Sequence, residues 1–315
     1  MNATRDDELD AQIVEARRRQ AAAVLPVDFT QLAPDQGRAL ANSAALYFND
    51  GLPDVEAVHD LSVPNATGML QARLYRPSTG PIGAVLFLHG GGWFHCNVDT
   101  HDRLMRVLAR DSGLAVLGVD YRLAPEHPHP AGLNDAVSAW RWLLEHAADL
   151  NIDEERLSVA GDSAGANIAL AMTLAERDAG RRMPRALALL YGCYDTDFET
   201  ASHRANGNGQ YGLTTVRMRW YWENYVGPGL DDPPPSAAPL RANLSMLPPV
   251  YLALATLDPL ADDTRRLAAK LEEAKVPHVF KEWANTGHAF MQMTRDVEIA
   301  RRAASEAAQY LARYT

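Results

Sequence analysis

The sequence predicts an α/β fold in which a mostly parallel eight-stranded sheet is flanked by helices. Three observations lead there. From Ala84 onward, short apolar runs alternate with longer amphipathic stretches. The loops joining them are short, and two segments of alternating polarity precede them, the usual antiparallel opening of such a sheet. A hydrophobic content of 47% against 22% charged residues is enough for a large buried core.

In chain order, the first helix is expected over residues 6–24, with Leu9, Ile13 and Ala16 on one face and Pro26 closing it. A second, over 34–48, carries Leu40, Ala44 and Tyr47 at helical spacing. Both precede the first strand, so they lie outside the sheet and are available as a lid. Strands follow at 57–63 and 69–75, then at 84–88, 115–119, 157–160, 186–190, 250–255 and 279–283. Helices fit 101–111, 133–147, 164–177, 262–274 and 294–314. The rhythm breaks once, after the strand at 186–190, where a stretch contains Asn206-Gly-Asn-Gly209, a helix at 215–225 and Pro233-Pro-Pro235. The resulting division is N-terminal cap helices at 1–50, core at 51–192, a second part of the cap at 193–246, and core again at 247–315.

The chemistry concentrates in four places. Gly161-Asp162-Ser163-Ala164-Gly165 sits between an apolar strand and an alanine-rich helix, which is what a nucleophile elbow requires. A sharp strand-to-helix reversal forces its central residue to positive φ, and side chains at the flanking positions would collide with the turn. His89-Gly90-Gly91-Gly92 follows the strand at 84–88, leaving backbone N–H groups bare for a developing oxyanion. Asp258 ends the strand at 250–255, and His288 follows the last strand in Asn285-Thr-Gly-His-Ala-Phe290. A serine needs a base and an acid to orient that base, and these residues supply them in the chain order Ser, Asp, His. Asp258 also reads as a helix N-cap, a role that Asp262 or Asp263 can fill instead.

Other polar clusters carry less. His95-Cys96, Asp99, His101-Asp102, His127 and His129 have metal-ligating side chains but none of the recognised ligand spacings, so neither a metal nor another cofactor is expected. The formal net charge of -10 disfavours nucleic acid. The polar, acidic start does not resemble a secretory signal, no apolar run approaches the ~20 residues that span a bilayer, and the 2 cysteines, Cys96 and Cys193, make no framework. A soluble cytoplasmic enzyme acting on a small molecule, with no membrane partner, is the expectation.

Taken together, these motifs resemble the hormone-sensitive-lipase-like carboxylesterases, bacterial family IV, of the α/β-hydrolase fold. The resemblance covers about three quarters of the chain. It rests on His89-Gly-Gly-Gly-Trp93, Asp99-Thr-His-Asp102, Asp120-Tyr-Arg-Leu-Ala-Pro-Glu-His-Pro128, Gly161-Asp-Ser-Ala-Gly-Ala-Asn167, Leu247-Pro-Pro249, Asp258-Pro-Leu260 and Gly287-His-Ala-Phe290. It implies a serine esterase for short- to medium-chain carboxylic esters, with Ser163 as nucleophile, His288 as base and then acid, and Asp258 orienting the imidazole. It also implies an oxyanion hole of the Gly91, Gly92 and Ala164 N–H groups, His89 as a support of the glycine loop, and a homodimer through the last strand. Two departures stand out: Cys96 and Ala289 occupy positions where relatives usually have glycine. Both are expected to reshape the pocket.

The aromatics of the inserted stretch, with Trp93, are numerous enough to wall an apolar pocket. Trp93, Tyr194, Tyr211 and Trp220 are the candidates for substrate contact, although any one of them serves equally well by packing the cap onto the sheet. Two other activities fit the same motifs. An amidase or carbamate hydrolase uses the same triad, and a non-catalytic receptor resembling the plant gibberellin receptors uses the closed cap. The presence of His288 argues against the receptor.

Overall fold

The computed structural model describes residues 9–23, 28–80 and 82–315. Eight strands, β1 (Ala57–Asn65), β2 (Gly68–Arg76), β3 (Ile82–Leu88), β4 (Ala115–Val119), β5 (Ile152–Asp162), β6 (Leu187–Leu190), β7 (Val250–Ala255) and β8 (His278–Trp283), form one sheet in the order β1-β2-β4-β3-β5-β6-β7-β8. The β1–β2 and β2–β4 pairs are antiparallel and all the others parallel. Among the described residues the α-helices are α1 (Ala11–Ala23), α2 (Pro34–Leu46), α3 (Asp102–Ser112), α4 (Ala131–His146), α5 (Ala164–Asp178), α6 (Ala201–Asn206), α7 (Thr215–Val226), α8 (Ala261–Glu273) and α9 (Glu298–Ala312).

Alternation along the strands builds two cores. Ala84, Leu86 and Leu88 of β3, with Leu157 and Val159 of β5, join Trp140 of α4, Ile168 of α5 and Leu267 of α8 on one face. Val85 and Phe87 of β3, with Ala160 of β5, join Leu104 and Leu108 of α3 and Ala300, Ala304 and Leu311 of α9 on the other. A parallel strand covered on both faces needs apolar residues at successive positions. That is why β7 reads Val-Tyr-Leu-Ala-Leu-Ala and is buried along its whole length.

The strand order decides where chemistry can occur. The chain runs from β3 to β4 on one side and then to β5 on the other, so the connections diverge between β3 and β5. Beyond the carboxyl ends of strands, such a divergence opens a crevice. Register places Leu88, the last residue of β3, opposite Gly161, so the glycine loop and Ser163 emerge side by side.

Expected and observed boundaries differ in a few places. β5 begins at Ile152, five residues before its apolar run, because β3 pairs with Ile152 through a register shift across the polar stretch Asp153-Glu-Glu-Arg156. The last helix begins at Glu298, after a 3-10 turn over Phe290–Met293. The first helix is described from Ala11 to Ala23, and the expected flanks at 6–8 and 24, with Pro26, lie outside the described residues. Leu9, Ile13 and Ala16 are buried as one face. No helix among the described residues is long and apolar enough to cross a membrane.

Candidate active site

Ser163 is the single residue between β5 and α5. Its backbone takes φ 52°, ψ -118°, a strained conformation for a residue with a Cβ. The surroundings hold it there. Its N–H donates to the Leu190 carbonyl at 2.9 Å, and the two flanking glycines let the turn close. A Cβ on Gly165 would fall 1.9 Å from the Leu88 carbonyl oxygen, and one on Gly161 2.5 Å from the Gly165 backbone.

His288 Nε2 lies 2.9 Å from Ser163 Oγ, and its Nδ1 lies 2.6 Å from Asp258 Oδ2. A carboxylate only accepts, so the ring proton sits on Nδ1 and leaves Nε2 to receive the serine proton. Asp258 is 1% exposed, and its other oxygen accepts the Leu260 N–H at 2.9 Å. The two loops that carry the pair are tied together. Leu257 N–H donates to the Thr286 carbonyl at 2.9 Å and Thr256 N–H to the Trp283 carbonyl at 3.2 Å, while Thr286 Oγ1 donates to the Trp283 carbonyl at 2.7 Å.

The backbone N–H groups of Gly91, Gly92 and Ala164 have no acceptor among the described residues, and Gly91 and Gly92 line the same cavity as Ser163. Gly91 and Gly92 have φ of 112° and 61°, and Cβ atoms there would fall 2.1 Å from the His95 carbonyl oxygen and 2.4 Å from the Tyr221 ring. Behind them stands a buried polar cluster. Asp162 accepts the Gly90 N–H at 2.8 Å and the Gln292 amide at 3.2 Å, and its Oδ1 lies 3.1 Å from His101 Nε2, close enough for charge attraction but off hydrogen-bond alignment. Burial alone would raise the Asp162 carboxyl; attraction to His101 and these hydrogen bonds outweigh it and hold the pKa below the ordinary value.

His89 stacks on Tyr121 at 4.3 Å and donates from Nδ1 to the Gly90 carbonyl at 2.7 Å. Burial, reinforced by the nearby His101, pushes its pKa down to about 3, so it is a neutral prop at any physiological pH. His95 is also neutral, pushed to about 3 by burial and by its histidine neighbours, and it bonds Cys96 Sγ at 3.0 Å and Tyr221 OH at 2.9 Å. His129 bonds Tyr225 OH at 3.2 Å and Ser236 at 3.0 Å. Of the histidines considered as metal ligands, His95 and His129 are thus engaged in these hydrogen bonds.

A cavity of about 560 Å3 opens over Ser163 and His288. Its far wall is the apolar face of α2, where Leu40, Ala41, Ala44 and Ala45 line it, and Met218 and Tyr221 of α7 close another side. The aromatic candidates lie elsewhere. Trp93 is 1% exposed, stacks on Tyr225 at 4.1 Å and packs at a 60° tilt against Trp222 at 4.6 Å; Tyr194 and Tyr211 are buried. Trp220 packs edge-on against Phe94 at 4.7 Å. None of the four lines the cavity, because large rings bury most area where two layers meet. The walls that sequence reasoning missed are small residues on an unremarkable amphipathic helix; of the aromatics in the inserted stretch, Tyr221 does line the cavity.

The two departures from glycine share one property. Cys96 has φ 72° and Ala289 φ 60°, so both keep a left-handed backbone while adding a side chain. Both line the cavity. Burial pushes the Cys96 thiol up to about 12, which leaves it unreactive.

Comparison with known proteins gives a consistent picture. The family described as alpha/beta hydrolase fold matches residues 85–292. The chain is similar to the acetyl esterase of Salmonella paratyphi A, 35% identical over 252 residues that cover 79% of this chain and 78% of that protein. Among solved structures it is similar to the hyperthermophilic esterase of the archaeon Pyrobaculum calidifontis, with a TM-score of 0.91, 31% identity, and coverage of 97% of this chain and 98% of that one. An ester-hydrolase from the metagenome of Lake Arreo matches with a TM-score of 0.88 and 31% identity, over 99% of this chain and 98% of the other.

Proposed function

The chain belongs to the α/β-hydrolase fold family, in its hormone-sensitive-lipase-like branch, and is a carboxylic ester hydrolase; from that premise we propose that it works through an acyl-enzyme on Ser163 and prefers short- to medium-chain esters. The observation that carries this reading is the line of contacts from Ser163 Oγ through His288 to Asp258, at 2.9 and 2.6 Å, beside a glycine loop whose Gly91 and Gly92 N–H groups are unengaged and line the same cavity.

In the first half-reaction Ser163 Oγ attacks the ester carbonyl while its proton passes to His288 Nε2. The imidazolium so formed is stabilised by Asp258, whose carboxylate is already in place and need not reorganise. Negative charge gathers on the former carbonyl oxygen, and the Gly91, Gly92 and Ala164 N–H groups receive it. Each such donor contributes about 2.7–4 kcal/mol to the transition state. The imidazolium then protonates the departing alkoxide. Water repeats the sequence on the acyl-enzyme and returns free Ser163.

The acyl-length range follows from the cavity. A space of about 560 Å3 lined by Leu40, Ala41, Ala44 and Met218 takes a hydrocarbon chain of moderate length without burying polar groups. The acetyl esterase of Salmonella supports the short end of the range. The described residues of 1–50, together with 193–246, act as a two-part cap, a reading supported by α1, α2 and α7 all contributing residues to the cavity lining. The exposed edge strand β8, with Val279 41% and Phe280 38% exposed, supports pairing with a second copy.

The test is turnover of 4-nitrophenyl esters from C2 to C12 beside a matched anilide. Rapid ester cleavage with an optimum at or below C8 and little anilide cleavage is expected. Preferred cleavage of the anilide would replace this reading with an amidase.

A further inference from the structure

The cavity over Ser163 carries an ionic feature that ester cleavage itself does not need. Arg17 of α1 reaches into it and is partly buried. Its neighbours Arg18 and Arg19 pair with Glu15 at 2.7 Å each, whereas Arg17 has no carboxylate partner within ion-pair distance among the described residues. The carboxylate whose charge reaches it is Asp258, and that group is already committed to His288 and to the Leu260 N–H.

The site is shaped around the guanidinium. A Cβ on Gly212 would lie 3.4–3.5 Å from three guanidinium atoms at once, so the group sits flat over that glycine. A Cβ on Gly287, next to His288, would lie 2.8 Å from Nη2. Two glycines therefore leave room for the cation beside the general base. Arg217 lines the same cavity, with its guanidinium over the Phe29 ring at 4.9 Å and likewise no carboxylate partner within ion-pair distance among the described residues. A guanidinium stays charged at any working pH, and a partly buried cation without a counter-ion is costly unless a ligand supplies one.

We propose that Arg17, assisted by Arg217, is a specificity residue that binds a carboxylate borne by the substrate, so that the preferred substrates are esters carrying a second, anionic carboxyl group. This rests on the esterase reading above. The planar guanidinium offers paired donors that match a carboxylate, and the apolar α2 face accommodates the hydrocarbon between the anion and the scissile ester. Of the burial and charge effects on Arg17, burial dominates and lowers its pKa, which is the penalty a bound carboxylate relieves.

Matched pairs of esters test this by pH-stat. Monomethyl glutarate against methyl valerate places the charge on the acyl side, and 4-acetoxybutanoate against butyl acetate places it on the alcohol side. In the wild-type protein at least one anionic member is expected to match or exceed its neutral partner in kcat/KM. For that pair, Arg17→Met lowers the anionic-to-neutral ratio at least tenfold, and Arg17→Lys restores part of it. Glutarate, read as a competitive inhibitor of methyl valerate hydrolysis, binds at least tenfold more weakly to Arg17→Met. A wild-type ratio below one hundredth in both pairs overturns the proposal without any variant, as does a ratio indifferent to Arg17→Met. Absence of turnover of all four esters, anionic and neutral alike, overturns the esterase reading itself, and this inference with it.

Discussion

The Asp162 carboxylate accepts the Gly90 N–H at 2.8 Å, so the residue before the serine holds the first glycine of the loop whose next two N–H groups are proposed to receive the oxyanion. The elbow and the oxyanion loop are thereby one unit, joined across the β3–β5 register. Asp162 is 2% exposed, and His101 Nε2 lies 3.1 Å from its Oδ1. Removing it frees Gly90 and leaves buried donors unpaired. Asp162→Ala is expected to lower kcat at least tenfold and to cost about 3 kcal/mol of stability; steady-state kinetics and denaturant unfolding check both.

The same pair sets an acid limit. The folded-state pKa of Asp162 lies below its ordinary value of 3.8, so its contribution to stability is fully present above about pH 4 and is lost as pH falls through the lower folded-state value. Melting temperature should change little from this source between pH 5 and 8 and then drop below pH 4. Asp162→Asn, which keeps an acceptor for Gly90 but cannot titrate, should show a smaller drop over that acid range. Equal drops in both proteins would remove Asp162 as the cause.

Gly92 sets the clearance between the oxyanion loop and α7. Its φ is 61°, and a Cβ there would meet the Tyr221 ring at 2.4 Å. Gly92→Ala must displace either the loop or the ring. A displaced N–H donor costs about 10²–10³ in kcat, so a loss of that order is expected, with KM changed less. Full activity in this variant would mean that the Gly92 N–H plays no part.

Ala289 offers the opposite kind of change. It follows the histidine that faces Ser163 and holds φ 60°, ψ 20°, a conformation that costs a residue with a Cβ about 1–2 kcal/mol. Ala289→Gly removes that cost and regains some unfolded-state entropy against it. The net expectation is a gain of up to about 1 kcal/mol in denaturant unfolding, with the contacts of His288 undisturbed.

The α2 wall should set acyl length. Ala44 lines the cavity from α2. Ala44→Phe fills part of that space, so kcat/KM for a C8 ester should fall at least tenfold relative to a C2 ester. A parallel loss on both would place the acyl chain elsewhere.

How much of this was legible beforehand follows from what each feature needs. The sheet strands need unbroken apolar runs to be covered on both faces, and such runs stand out at 84–88 and 250–255. Ser163 needs glycine on both sides for close packing against β3, which leaves a pattern in the sequence. The first five residues of the long β5 left none, because four of them, Asp153-Glu-Glu-Arg156, are polar, and α6 is too short for a helical period to show. The cavity was misjudged for a physical reason. Trp93, Tyr194, Tyr211 and Trp220 are large enough to be worth burying between layers, while Ala41, Ala44 and Ala45 give the ligand room by being small. Arg17 stands between Ala16 and Arg18 in a basic helix, and nothing in that run marks the one guanidinium that turns toward the site.

The central claim is that Ser163 becomes acylated. Stopped-flow hydrolysis of 4-nitrophenyl acetate, followed by mass analysis of the peptide carrying Ser163 after acid quench, tests it most directly. The account predicts a burst of 4-nitrophenolate approaching one per active site where deacylation is the slower step. It predicts an added acetyl group on Ser163 and, in Ser163→Ala, a fall in kcat on the order of 10⁴-fold or more without change in the melting temperature beyond a few degrees. Turnover within tenfold of wild type in Ser163→Ala, or acylation at another residue, would contradict it.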